Sequence, residues 1–254
     1  MESGRPPALE VEGLGLQIGG VTIVEDVSLQ VRAGEFLVII GPNGAGKTTL
    51  FNLLSGFTRP TSGRVLFAGR DVTHTPPYAR ARLGLGRTFQ TSTVFARLST
   101  LENVRLAASA ALGTSGRAWD LADREVAPLA RAHEALAEVG LETRAGVTAA
   151  QLSHGEKRKL DLAILLCTEP ALVLLDEPTA GMAVEDVGDM VALIRRIHRE
   201  QAKTVMMVEH RMDLVLSLAD RMAVMHHGRL LALDTPERIV ANETVQSAYL
   251  GDPL

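Results

Sequence analysis

The chain has 254 residues, 46% of them hydrophobic, a formal net charge of −4 and one cysteine. That length allows one large α/β domain or a domain with a small subdomain, and the charge balance leaves no footprint for a nucleic-acid polyanion. The lone thiol, Cys167, excludes an intrachain disulfide and a cysteine-cluster zinc site, and no apolar run approaches the roughly 18 residues of a membrane-spanning helix.

Residues 1–7 (MESGRPP) lack an apolar centre and read as a short loose tail rather than a signal peptide, so a soluble cytoplasmic chain is expected. From Leu9 to Val31 short strands are expected, broken by Gly13, Gly15 and Gly19-Gly20, with alternation over Val27–Val31. Phe36–Ile40 is a continuous apolar run that predicts a buried strand. Gly41-Pro42-Asn43-Gly44-Ala45-Gly46-Lys47-Thr48-Thr49 follows, then the apolar stretch Leu50–Leu54 that predicts a helix. Gly63–Phe67 reads as a further short strand.

Between Leu101 and Gly140 the composition shifts to Ala, Leu, Glu and Arg, and Val126, Leu129, His133, Leu136 and Val139 recur at helical spacing. A helical insert is expected, with a flexible loop at Gly113-Thr114-Ser115-Gly116. Strand–helix alternation then resumes. Ala171–Leu175 and Thr204–Val208 are apolar throughout, as suits parallel strands covered on both faces, and Val187, Met190, Val191, Ile194 and Ile197 form a helical stripe between them. Met222–Met225, a turn at His226-His227-Gly228, and Arg229–Leu233 close the pattern. The architecture is an α/β core interrupted by a helical subdomain.

Gly41 to Thr48 fits the phosphate-binding loop G-x-x-x-x-G-K-[ST], in the strand–turn–helix context it requires. Glycines let backbone N–H groups converge on phosphate oxygens. Lys47 adds a point charge, Thr48 a hydroxyl for Mg²⁺, and the helix dipole favours the anion. The strand through Leu175 ends in Asp176 and Glu177, a metal-holding carboxylate and a candidate for polarising water. Leu152-Ser153-His154-Gly155-Glu156 opens a helix whose free N–H groups make a second anion site; read alone, Ser153 and Glu156 are a capping box.

Together these segments resemble the ATP-binding subunit of an ABC transporter over residues 8–250. GPNGAGKTT matches its Walker A motif, LVLLDEP its Walker B, LSHGE the signature usually written LSGGQ, Gln90 in RTFQ the Q-loop, and His210 in VEH the switch histidine. The resemblance implies a P-loop NTPase core with a parallel sheet, an N-terminal antiparallel β subdomain and a helical subdomain inserted at about residues 91–165. It also implies ATP and Mg²⁺ as ligands and a head-to-tail dimer, with an identical chain or a paralogous ATPase. Gly41–Thr49 and Ile18 would bind ATP, and Thr48, Gln90 and Asp176 the metal. Glu177, His210 and Gln90 would serve hydrolysis, while Ser153, His154, Gly155 and Glu156 would act on the partner's nucleotide.

Four positions depart from the family. Ile18 stands where an adenine-stacking aromatic is expected, so packing without π-stacking follows. His154 replaces a signature glycine and is expected to face away, whereas Glu156 replaces glutamine and is expected to be offset by Lys157 or Arg158. Ala183 stands where the family commonly carries Asp, which removes one side chain available across the dimer.

Within the family, RTFQ, LSHGE, Ala180-Gly181-Met182 and the ending Ala248-Tyr249-Leu250-Gly251 look most like ATPases of branched-chain amino acid importers and their urea or amide relatives. Such a subunit would sit on the cytoplasmic face of the membrane beneath two permease subunits, served indirectly by a periplasmic binding protein. Lipopolysaccharide export is the alternative within transport, and a non-transport ABC ATPase the alternative outside it. The interval from Lys47 to Leu152 leaves no room for a long coiled coil, and the single cysteine excludes the zinc modules of excision-repair members. No nucleic-acid partner is expected.

Overall fold

The structure, a computed structural model, describes residues 6–88, 94–113 and 121–250. β1 (Leu9–Ile18) and β2 (Val21–Val31) form one hairpin across Gly19-Gly20. Gly13 and Gly15, expected to end strands, lie instead at register shifts inside β1. A bulge there absorbs the irregularity, and Gly13 supplies the left-handed φ of +57°.

β3 (Phe36–Ile40) leads into α1 (Lys47–Ser55). β4 (Ser62–Phe67) pairs with β1, and β5 (Arg70–Asp71) with β4, completing an antiparallel sheet in the order β2-β1-β4-β5. α2 (Pro77–Arg82) and β6 (Leu85–Arg87) follow, too short to leave a periodic signal in the sequence. The insert contains α3 (Thr100–Ala111), α4 (Leu121–Glu138) and α5 (His154–Leu166). Of the loop at 113–116, only Gly113 falls among the described residues.

The remaining elements are β7 (Leu172–Asp176), α6 (Val184–Glu200), β8 (Thr204–Val208), α7 (Met212–Leu218), β9 (Arg221–His226), β10 (Arg229–Asp234), α8 (Pro236–Val240) and α9 (Glu243–Leu250). The second sheet runs β10-β9-β3-β8-β7-β6, parallel from β9 to β6, with β10 returning antiparallel through the His227-Gly228 turn. Among the described residues no helix is long and apolar enough to cross a membrane.

The reason the interiors of β3, β7 and β8 are apolar is visible in the packing. Phe36, Val38 and Ile40 join a core with α3, α4, α5 and α6, while Leu37 and Ile39 point the other way into a core shared with α1 and the antiparallel sheet. Both faces are covered, so polar residues are confined to strand ends, Thr204 opening β8 and Asp176 closing β7.

The expected helical spacing is α4, with Val139 one residue past its end. Leu136 and Val139 are buried with Ala132 and Ala135, but Val126 is 65% exposed and Leu129 37%. An 18-residue helix packed on the 12-residue α3 has more than a turn left over, and the small alanines let the axes approach where the two overlap.

Arg80 anchors the phosphate-loop helix from behind. It is 1% exposed, and its guanidinium donates to the carbonyls of Leu53 and Leu54 at the end of α1 and to those of Thr73 and Thr75. The helix's terminal acceptors are thus satisfied by a buried cation, which also complements the dipole. Burial lowers its pKa to about 10.

Candidate active site

β3 ends at Ile40, and the loop from Gly41 to Gly46 is wedged between β9 and β2. A side chain at Gly41 would meet Met225 O at 2.2 Å, and Gly46, at φ +95°, lies where a Cβ would be 3.0 Å from Ile23 O. Only glycine allows that approach. Ala45 N donates to Pro42 O (3.2 Å) and Gly228 N to Ala45 O (3.1 Å), closing the loop. Lys47 Nζ donates to Gly41 O (2.7 Å) and Pro42 O (2.9 Å). Burial lowers the Lys47 pKa, against the opposing pull of Glu177 and then Asp176. Asn43, Gly44 and Thr48 are exposed at the start of α1, Pro42 and Thr49 partly so. The first N–H groups of that helix have no intrahelical acceptor and are free donors for an anion.

At the tip of β7, Asp176 is fully buried. Its Oδ2 accepts from Arg87 (3.0 Å), while Oδ1 is buried without a hydrogen-bond partner. Burial raises the Asp176 pKa and Arg87 pulls it back. An orphaned carboxylate oxygen beside a phosphate loop fits a hard divalent cation. Among the described residues no group of three His, Cys, Asp or Glu could hold a metal by itself. One carboxylate and the Thr48 hydroxyl therefore match a cation that shares its ligands with a phosphate, as magnesium does.

Arg87 carries a role that spacing does not reveal. It donates to Asn52 Oδ1 (2.8 Å) and Ser55 Oγ (2.8 Å) on α1 as well as to Asp176, and its guanidinium lies 5.8 Å from the Phe51 ring centroid and 5.9 Å from that of Phe57. One side chain from β6 thus joins α1 to the tip of β7. The only hint in the sequence is that Asn52 interrupts the apolar stretch Leu50–Leu54 and Ser55 follows it.

Glu177 follows with φ +48°, a left-handed conformation that a non-glycine residue adopts at a cost. Its N–H donates to Val208 O (3.0 Å), and its Oε1 lies 2.7 Å from His210 Nε2. β3, β8 and β7 are neighbours in the sheet, so Lys47, His210, Asp176 and Glu177 gather where these strands end. Gln90 lies outside the described residues, but Thr88 N bonds Leu174 O (3.0 Å), bringing the chain to the edge of this cluster. Ile18, 57% exposed, ends β1.

The signature segment stands apart. Ser153 caps α5, accepting from Glu156 N (3.1 Å) while Glu156 Oε2 accepts from Ser153 N (2.8 Å). The expected offset of Glu156 by Lys157 or Arg158 is replaced by an ion pair to Arg144 at 2.8 Å. Lys157 instead donates to Ala150 O (3.3 Å). The cap and Arg144 together lower the Glu156 pKa.

His154 does not simply face away: its Nε2 is 3.2 Å from Ala180 O, bracing the loop after Pro178. Gly155 packs against Asp186, whose Oδ2 would be 2.9 Å from an added Cβ. Ala183 begins α6 without a side-chain cap. Among the described residues, none of these bonds reaches Lys47, Asp176, Glu177 or His210.

The sequence profile of the family described as "ABC transporter" matches residues 24–180. A high-affinity branched-chain amino acid transport ATP-binding protein of Pseudomonas aeruginosa is 39% identical over 253 residues, covering 97% of this chain and 98% of that one. A lipopolysaccharide export system ATP-binding protein of Acidithiobacillus ferridurans is 35% identical over 236 residues, covering 91% of each. The crystal structure of a nucleotide-free ATP-binding cassette from an ABC transporter superposes with a TM-score of 0.84 at 27% identity, covering 97% of this chain and 100% of that one. The phosphate loop, the acidic strand tip and the capped signature helix lie on that shared fold, and the chain belongs to the ABC transporter family as an ATP-binding, ATP-hydrolysing subunit.

Proposed function

We propose that the chain energises uptake of branched-chain amino acids, or of related small amides or urea. It would work as a pair of ATPases, identical or paralogous, on the cytoplasmic face of the membrane beneath two permease subunits. The identity to the Pseudomonas aeruginosa protein over nearly the whole of both chains supports the importer reading. Residues 8–250 would form a single ATPase domain with the helical subdomain at about 91–165, preceded by the 1–7 tail.

The observation that carries the site assignment is the convergence of Lys47, Asp176 and the Glu177–His210 pair at the ends of adjacent strands. Gly41–Thr49 wrap the phosphates, and Ile18 packs on the base. Thr48, Asp176 and Gln90 hold magnesium, which when bound neutralises phosphate charge. Glu177 Oε1 takes a proton from the attacking water, while His210, held 2.7 Å from it, keeps that carboxylate oriented and faces the terminal phosphate. Ser153, with its Oγ lone pair engaged by Glu156 N, retains its O–H proton to donate outward, to the partner's nucleotide. His154, Gly155 and Glu156 form the rest of that in-trans surface.

Glu177→Gln tests the reading. Hydrolysis should fall by roughly 100-fold or more, while ATP still binds and traps a dimer on size-exclusion chromatography. Co-purification of this variant with ATP and magnesium from solubilised membranes should recover two multi-helix permeases. Soluble nucleic-acid enzymes without a membrane chain would overturn the transport role. With those permeases and their binding protein in vesicles, uptake of labelled leucine against labelled urea decides the substrate class.

A further inference from the structure

The Glu177–His210 pair has a second, deeper connection. Two residues after Glu177, the Thr179 hydroxyl donates to Glu209 Oε1, and one residue before His210, Glu209 Oε2 accepts from His210 N (2.8 Å) and Arg211 N (3.4 Å). Both side chains are buried, Glu209 3% exposed and Thr179 6%. The exposed hydrogen bond between the catalytic side chains is therefore doubled by a dry one between their neighbours. Glu177 needs such support, since its backbone sits in the left-handed region at φ +48°. One fixed point is Glu177 N on Val208 O (3.0 Å); the other is Thr179 on Glu209.

We infer that Glu209 is a positioning residue. Its carboxylate clamps the 177–179 loop to the 209–211 turn and so sets the separation of Glu177 and His210. This rests on the assignment of Glu177 and His210 to hydrolysis. A misplacement on the order of 1 Å at a reacting group is enough to cost large factors in rate, and the clamp spans the only two segments that carry these groups. It also ties both to the loop that His154 braces through Ala180 O (3.2 Å), so a shift at the signature helix is passed to the base.

The chemistry of the clamp separates its variants. In Glu209→Gln the amide oxygen can still accept from His210 N while its NH₂ donates to Thr179, whose hydroxyl reverses its role. Glu209→Leu keeps the volume and loses every acceptor. Thr179→Val loses the donor, and Thr179→Ser keeps it.

The experiment is steady-state ATP hydrolysis by the transporter complex, with kcat and KM for ATP read separately. Hydrogen exchange of peptides covering 176–182 and 208–212 is followed in the same full-length chains. Glu209→Leu and Thr179→Val should each lower kcat roughly 10- to 100-fold with KM little changed. Glu209→Gln and Thr179→Ser should restore it, and the double variant should be no worse than the poorer single. Exchange should rise in both peptides together. An unchanged kcat in Glu209→Leu, or a loss that Glu209→Gln does not rescue, overturns the clamp. So does a rise in exchange at one segment only. Glu177→Gln and His210→Ala run beside these; if they leave kcat intact, it is the catalytic assignment that has failed.

Discussion

Arg87 shows how much can hang on one side chain. It is 6% exposed and faces an Asp176 side chain that is not exposed at all, so the carboxylate has left water and depends on the guanidinium. Breaking such a buried pair from one side costs about 3–5 kcal/mol, because the remaining charge is left uncompensated. Arg87→Met should therefore lower stability in urea by about that amount. It should also raise the magnesium concentration needed for tight ATP binding, since Asp176 Oδ1 is presented by the bond that Arg87 makes to Oδ2. Arg87→Lys keeps the charge but cannot fork to Asp176, Asn52 and Ser55 at once, and should recover part of the stability and little of the magnesium response. Unfolding curves and magnesium titrations with a fluorescent ATP analogue check both.

At the scale of elements, legibility followed the range of the interactions. β3 and β8 are read from the sequence at their full length, and β7 within one residue, because burial on both faces leaves a continuous apolar run. The phosphate loop is legible for the same reason of locality: strand, turn and helix start are contiguous. Arg87 and Glu209 are not, because their partners lie 89 and 30 residues away in the chain and no period connects them. α1 illustrates the same limit. Its N-terminus is written in the sequence, and Gly56 at φ +81° caps its C-terminus by donating to Leu53 O, but the further hold of Arg80 on Leu53 O and Leu54 O is not written there. A side chain at Gly56 would come within 2.8 Å of Arg80 Nε, so the cap position must stay glycine. Arg80→Met keeps the bulk and strands several buried carbonyls, a loss of about 1–3 kcal/mol for each group that water cannot reach. The variant should unfold at clearly lower urea and bind ATP more weakly through a loosened α1, although Arg80 touches no ligand. Unchanged stability in urea denaturation would remove Arg80 from this role.

For the molecule as a whole, the two cores on opposite faces of the six-stranded sheet leave the strand ends as the meeting place of β3, β7 and β8. Ser153 belongs to the helical layer, and its own hydrogen bonds close within α5. One chain therefore gathers Lys47, Asp176, Glu177 and His210 at the strand ends and carries the Ser153 helix start elsewhere, with that serine's hydrogen bonds spent within α5. Two chains related head to tail would supply each other's missing half. Ser153→Asp separates this from simple destabilisation, because aspartate caps a helix as well as serine does but sets a carboxylate against the partner's terminal phosphate. Thermal stability and ATP affinity of the monomer should stay at the wild-type level. The ATP-induced dimer of the Glu177→Gln chain should be lost when Ser153→Asp is added, as measured by light scattering after size exclusion. A dimer that still forms would mean that the signature helix does not face the partner's nucleotide, and an ATP affinity that falls in the monomer would place Ser153 in its own chain's site instead.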